Sequence, residues 1–103
     1  MADFNPVSTH PGGDEFLNIA GAATTVVKAS PGVLVAINVN KAVASGVITV
    51  YDNASAASGT KVATITNPGT LLHSQIVFPL GCRMSNGIVV VTSQADDLTV
   101  VYR

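Results

Sequence analysis

Short runs of β-forming residues, separated by turn-forming residues, recur along this chain at intervals of about 8–12 residues. The clearest run covers residues 33–40, VLVAINVN, in which every second residue from Val33 is a β-branched aliphatic residue. An alternation with a period of two is typical of a strand that has one face in a core. No segment shows a helical period over three turns. The pattern therefore predicts an all-β protein.

Turn-forming residues mark the ends of the other runs. We predict strands at residues 24–29, 33–40, 47–51, 61–66, 71–78, 88–92 and 98–102. Pro31 and Gly32 suit the centre of a type II turn, and Pro79 and Gly81 are expected to end a strand. Asn86-Gly87 predicts a type I′ hairpin turn that pairs residues 82–85 with residues 88–92. Together these signals predict a single antiparallel β-sandwich, jelly-roll-like, of about seven to eight short strands.

Residues 1–18 differ from the rest of the chain. Proline and glycine interrupt them, and they lack the apolar alternation. They nevertheless contain Phe4 and Phe16, and a disordered tail normally avoids aromatic residues. We predict an extended, irregular N-terminal arm at residues 1–18 and a β-sandwich domain at residues 19–103. The arm packs across its own domain or docks on a neighbouring subunit.

Composition limits the classes of partner. The 103 residues fit one domain. Only 11% are charged, with a formal net charge of −1, so no basic patch is available for nucleic acid. We expect no signal peptide and no membrane segment, because no apolar run approaches the roughly 20 residues of a membrane span. Cys82 is the only cysteine, which fits a reducing cytoplasm. A surface this poor in charge favours burial against partners.

Catalytic and metal-binding patterns are missing from the sequence. His10 and His73 are the only histidines, so a metal site would have to be shared around a symmetry axis. No G-x-S-x-G motif is present. The adjacent acids Asp14-Glu15 and Asp96-Asp97 are interpreted as solvated loop residues. We therefore predict a protein that is not an enzyme and uses no metal and no cofactor.

A few polar residues are given structural roles instead. Asp52 and Asn53 are predicted to start a loop through side-chain hydrogen bonds to the backbone. Tyr51 and Tyr102 are expected to cover edges of the core. Cys82 is expected to behave as a small hydrophobic residue.

Four elements within residues 28–103 form a recognisable series. They are SPGVL at residues 30–34, VYDNASAASGT at residues 50–60, NGIVVV at residues 86–91 and LTVVY at residues 98–102. This series resembles small structural proteins of tailed bacteriophages. The resemblance implies a non-enzymatic virion component, most simply a capsid decoration or cement protein that binds the outer shell and stabilises contacts between capsomers.

The resemblance also implies partners and a location. The protein would bind the major capsid protein, form a homo-oligomer with a trimer favoured, and belong to a virion assembled in the host cytoplasm. Its arm would supply the contacts, and the residues predicted to make them are Phe4, Pro6, Val7, Phe16 and Leu17. The alternatives are a neck, tail or fibre subunit, or a receptor- or glycan-binding β-module that uses the loop at residues 52–60.

Overall fold

The structure, a computed structural model, describes residues 13–71 and 75–103. Within these residues the chain forms eight strands and no helix. The strands are β1 (Glu15–Ala20), β2 (Ala23–Lys28), β3 (Gly32–Lys41), β4 (Val47–Asp52), β5 (Thr60–Thr66), β6 (Ile76–Met84), β7 (Ile88–Thr92) and β8 (Asp97–Tyr102). The predicted all-β class is confirmed.

The eight strands form two antiparallel four-stranded sheets packed against each other. Sheet I has the order β1-β8-β3-β6, and sheet II has the order β2-β7-β4-β5. Only the connection from β4 to β5 stays within one sheet, and every other connection between consecutive strands crosses to the opposite sheet. The predicted β-sandwich is confirmed, and the strand order is that of a jelly roll.

Aliphatic side chains on the inner faces of both sheets fill the core. In β4 the alternation is regular, with Ile48 and Val50 fully buried, and in β8 Leu98 and Val100 are fully buried. Burying one such side chain contributes roughly 1.5–3 kcal/mol. In β3 the register shifts between Leu34 and Ala36, so Leu34 is buried although simple alternation predicted it on the face opposite Val39.

Two turns that the sequence predicted are corners between sheets. Asn86-Gly87 joins β6 of sheet I to β7 of sheet II, and neither residue has a positive φ. The predicted type I′ hairpin and its pairing of residues 82–85 with residues 88–92 are therefore wrong. Gly32 also lacks a positive φ, so the predicted type II turn is wrong as well. The same small residues suit hairpins and corners, and burial of the inner faces decides which sheet each strand joins.

The predicted end of a strand at Pro79 and Gly81 is also wrong. Strand β6 continues through both residues to Met84. It lies at the edge of sheet I and pairs only with β3, so the missing N–H of Pro79 costs the ladder little. Gly81 has φ of +61° where the register with β3 shifts between Leu34 and Ala36. Such a left-handed residue at a bulge is a position that glycine tolerates best.

The boundary of the predicted arm needs a correction. Strand β1 begins at Glu15 and pairs with β8 along its whole length, so residues 15–18 belong to the sandwich. The sequence did not indicate this strand, because the apolar residue Phe16 faces outward next to the inward-facing Leu17 and so breaks the alternation of apolar and polar residues. Phe4, Pro6, Val7, His10 and His73 lie outside the described residues.

Candidate interaction surface

An apolar row crosses the outer face of sheet I. Successive cross-strand partners place Phe16 beside Val101, Val101 beside Ala36 and Ala36 beside Pro79. The row faces away from the core, because the next residues along these strands, such as Val100 and Ile37, are fully buried. Phe16 is 71% exposed. We call these four residues the apolar row.

A second, mostly polar row runs parallel to the first. It places Asn18 beside Thr99, Thr99 beside Asn38 and Asn38 beside Val77. Val77 is 63% exposed, so apolar surface continues at the β6 end of this row. The outer face of sheet I thus combines exposed apolar side chains with a band of neutral amides and hydroxyls, a composition that suits a protein interface.

The amides of this face are held in place by Asp97. Asn18 Nδ2 donates to Asp97 Oδ1 at 2.8 Å, and Asn40 Nδ2 donates to the same oxygen at 3.2 Å. Asn40 Nδ2 also lies 3.0 Å from Thr99 Oγ1. The hydrogen bond from Asn18, then that from Asn40, and then the charge of Lys41 lower the pKa of Asp97. The ionised carboxylate therefore holds the amides of a polar patch beside the apolar row.

Asp96, next in sequence, has a different environment. It was predicted to be a solvated loop acid, and that prediction is wrong because its side chain is fully buried. Asp96 Oδ1 accepts hydrogen bonds from the Val43 N–H at 2.6 Å and from Asn67 Nδ2 at 3.2 Å. Asn67 Nδ2 also donates to the Val43 carbonyl at 3.0 Å. The cluster joins three connecting segments at one end of the sandwich, and its role is structural.

Asp52 fixes the corner between β6 and β7. Its carboxylate accepts hydrogen bonds from three consecutive backbone N–H groups, those of Ser85 at 3.1 Å, Asn86 at 2.8 Å and Gly87 at 3.3 Å. The bond from Asn86 is the main cause of a lowered Asp52 pKa. Its partners lie more than 30 positions further along the chain, so no local signal could have indicated this role.

The predicted loop-starting role is confirmed for Asn53. Asn53 Oδ1 accepts hydrogen bonds from the N–H groups of Ser55 at 2.9 Å and Ala56 at 3.0 Å. Asn53 Nδ2 donates to the Ser58 carbonyl at 3.1 Å. The polar groups of this loop therefore bind one another, which does not favour the loop as a glycan site.

The Asp52 contact predicts a specific dependence of stability on pH. Because folding lowers the pKa of Asp52 below its ordinary value of 3.8, its stabilisation is present above the unfolded pKa and is lost as pH falls through the folded pKa. We expect Asp52→Asn to lower the thermal midpoint at neutral pH, since its amide N–H₂ would face a backbone donor. We also expect the variant to lose less stability than the wild type below about pH 4. Thermal unfolding across this pH range checks the prediction, and equal acid sensitivity in both proteins would contradict it.

The structure separates the two predicted interface residues that it describes. Phe16 faces outward in the apolar row, whereas Leu17 faces inward, half-buried, beside the fully buried Val100. The sequence pointed to Phe16 and missed its partners Val101, Ala36 and Pro79, because strand order brings them together. The assignment of Phe16 and Leu17 to an interface stays a prediction.

The remaining singled-out residues lie at the margin of the core. Cys82 packs against the core, with its Sγ 3.6 Å from the Leu80 carbonyl oxygen. Tyr102 also packs against the core, and burial, followed by the nearby Glu15 carboxylate, raises its pKa.

Among the described residues, no group of three or more His, Cys, Asp or Glu could hold a metal ion. Residues 13–71 and 75–103 likewise contain no helix long and apolar enough to cross a membrane.

Comparison of the chain with protein-family models, with curated proteins and with solved structures found no match.

Proposed function

We propose that this protein is a non-enzymatic structural component of a tailed-phage virion, a capsid decoration protein that binds the outer shell and stabilises contacts between capsomers. Its partner would be the major capsid protein, and the particle would be assembled in the host cytoplasm. The homotrimer implied by the sequence resemblance belongs to this proposal. The observation that carries the proposal is the exposed apolar row on the outer face of sheet I.

The apolar row supports the proposal because its exposed side chains supply contact energy when a partner buries them. An exposed phenylalanine gains roughly 1.5–3 kcal/mol when a partner buries it. The neighbouring Asp97 already holds the amides of Asn18 and Asn40, so little side-chain entropy is lost when this face docks. Many copies on a repeating shell add such modest contacts through high effective concentration.

Fold and charge add weaker support. Jelly rolls occur in viral capsid domains and also in lectin domains, so the fold alone does not choose between shell and glycan. Six acidic and five basic residues in 103 let identical copies pack closely with little mutual repulsion. The internal hydrogen bonding of the loop after β4 favours the shell over the glycan alternative.

Replacing Phe16 by serine should weaken binding to the shell by about tenfold or more, because the lost apolar burial is worth more than about 1.4 kcal/mol. The measurement is co-sedimentation of the purified protein with capsids that lack it. Because Phe16 is 71% exposed, the substitution should leave the fold intact. Deleting residues 1–18 would be a poorer test, since it removes most of β1.

Val26→Ser is the matched control. Val26 is an exposed aliphatic residue on sheet II, and its loss should leave shell binding unchanged. Wild-type binding to purified tails and not to capsids would replace the shell proposal by a neck, tail or fibre role. A glycan-array signal without binding to any particle would support the receptor-binding alternative.

A further inference from the structure

Among the described strands, three of the four that lie at sheet edges carry features that hinder the addition of another strand. Strand β6 contains Pro79 and a bulge. Strand β5 contains Lys61 beside a register shift, and β2 ends at Lys28 after a register shift. Proline, lysine and bulges are the features with which proteins protect sheet edges from pairing.

Strand β1 is the exception among the described strands. Its six residues pair with β8 in continuous register, without a bulge, and include no proline, glycine or lysine. In the order of sheet I no described strand covers its outer edge. Leu17 remains half-exposed although it faces the inner side of the sheet. The described residues therefore leave the backbone groups and apolar surface of this edge open to a further strand.

We propose that β1 pairs antiparallel with β1 of a second copy of this chain, across a two-fold axis that passes beside Asn18. The two copies of sheet I then form one continuous eight-stranded sheet. The contact is isologous, so it closes on itself and yields a dimer.

The strand's own sequence selects this register. Residues opposite each other in an antiparallel pair point to the same face, so Leu17 meets Ile19 of the second copy on the inner side. Phe16 meets Ala20 of the second copy on the outer side, and Asn18 meets its own copy. Glu15 then lies beyond the end of the neighbouring strand.

Two other arrangements would bring Glu15 into an unfavourable contact. A parallel pairing in register would set Glu15 beside Glu15 of the second copy, and like charges directly opposite are destabilising. An antiparallel pairing centred on Leu17 would set the Glu15 carboxylate opposite Ile19. Of these three arrangements, the pairing centred on Asn18 is the one that joins apolar residues to apolar residues and keeps the acids apart.

The inference does not depend on binding to the shell, because it uses the edge of sheet I and leaves the outer face open, but its dimer would replace the homotrimer of the proposed function. In the dimer, both apolar rows lie on one side of the joined sheet. The resemblance to phage proteins implied a trimer, whereas edge pairing predicts a dimer, so the mass of the free protein distinguishes them.

Asn18→Lys tests the contact. Asn18 is exposed in the isolated chain, so the fold should tolerate a lysine at this position. In the dimer, two lysines would face each other across the axis, and we expect the dimer to dissociate at least about tenfold more readily. Sedimentation velocity of the full chain measures this. Asn38→Lys, two strands away on the same face, is the control and should leave the dimer intact.

Asn18→Cys tests the register. Under oxidation it should form a covalent dimer on a non-reducing gel, and Asn38→Cys should not, with Cys82 retained in both chains. A wild-type monomer at all concentrations, a trimer, or equal dissociation in the two lysine variants overturns the proposal. If the protein is a monomer, slow hydrogen exchange of the β1 amide groups that point away from β8 would indicate that residues 1–12 of the same chain cover this edge.

Discussion

Replacing Gly87 by alanine is expected to destabilise the protein by about 3 kcal/mol or more. Gly87 is buried at the corner between β6 and β7. A Cβ atom there would lie 2.6 Å from the carbonyl oxygens of both Asn53 and Lys28 and 2.8 Å from the Ala54 Cα. All three are backbone atoms, so no side chain can rotate away to relieve the clash. Relief would have to displace three connections of the sandwich.

Chemical denaturation measures this loss of stability, with Gly69→Ala as the control variant. At Gly69 the nearest atom to an added Cβ is the Ser45 Oγ, at an ordinary 3.5 Å. That surface substitution should change the free energy of unfolding by no more than about 1 kcal/mol. Similar losses in the two variants would contradict the close approach at the corner.

Replacing Asp96 by alanine is expected to cost about 1–3 kcal/mol. The substitution removes the acceptor for the Val43 N–H and for one hydrogen bond of Asn67 in a site without access to water. A small domain has a total stability of only about 5–15 kcal/mol, so the variant should unfold at a markedly lower denaturant concentration.

Asp97→Ala is the matched control for Asp96, since it removes a carboxylate at the next position. Asp97 binds the amides of Asn18 and Asn40 on the surface, where water can replace it. Its loss should therefore cost less than that of Asp96. A larger loss for Asp97→Ala than for Asp96→Ala would contradict the structural role of the buried cluster.

The sequence located most strands and could not order them. The runs of β-forming residues at 47–51 and 98–102 predict strands, and β4 and β8 contain them. Pairing depends on contacts between distant segments, so Asn86-Gly87 could not be distinguished as a corner instead of a hairpin. A glycine is required at position 87 because the carbonyl oxygens of Asn53 and Lys28 leave no room for a Cβ atom, and both residues are distant in the sequence.

The sequence also predicted the candidate interface residues only in part. Phe16 is a candidate from sequence because it is an aromatic residue in a stretch that lacks apolar alternation, although that stretch includes the edge strand β1. Asp96 and Asp97 are neighbouring residues of the same type, so the sequence does not show which of them is buried. Asp96 is the buried acid because Val43 and Asn67 pack around it, whereas Asp97 lies at the surface. The apolar row exists because β8 lies between β1 and β3.

The most direct test of the outer face of sheet I as the contact surface is the ratio of two shell affinities. Phe16→Ser and Val26→Ser would be titrated onto the same capsids, so that differences between particle preparations cancel. We expect the Phe16 variant to bind at least about tenfold more weakly than the Val26 variant. Equal affinities, or a greater loss for Val26→Ser, would contradict the account.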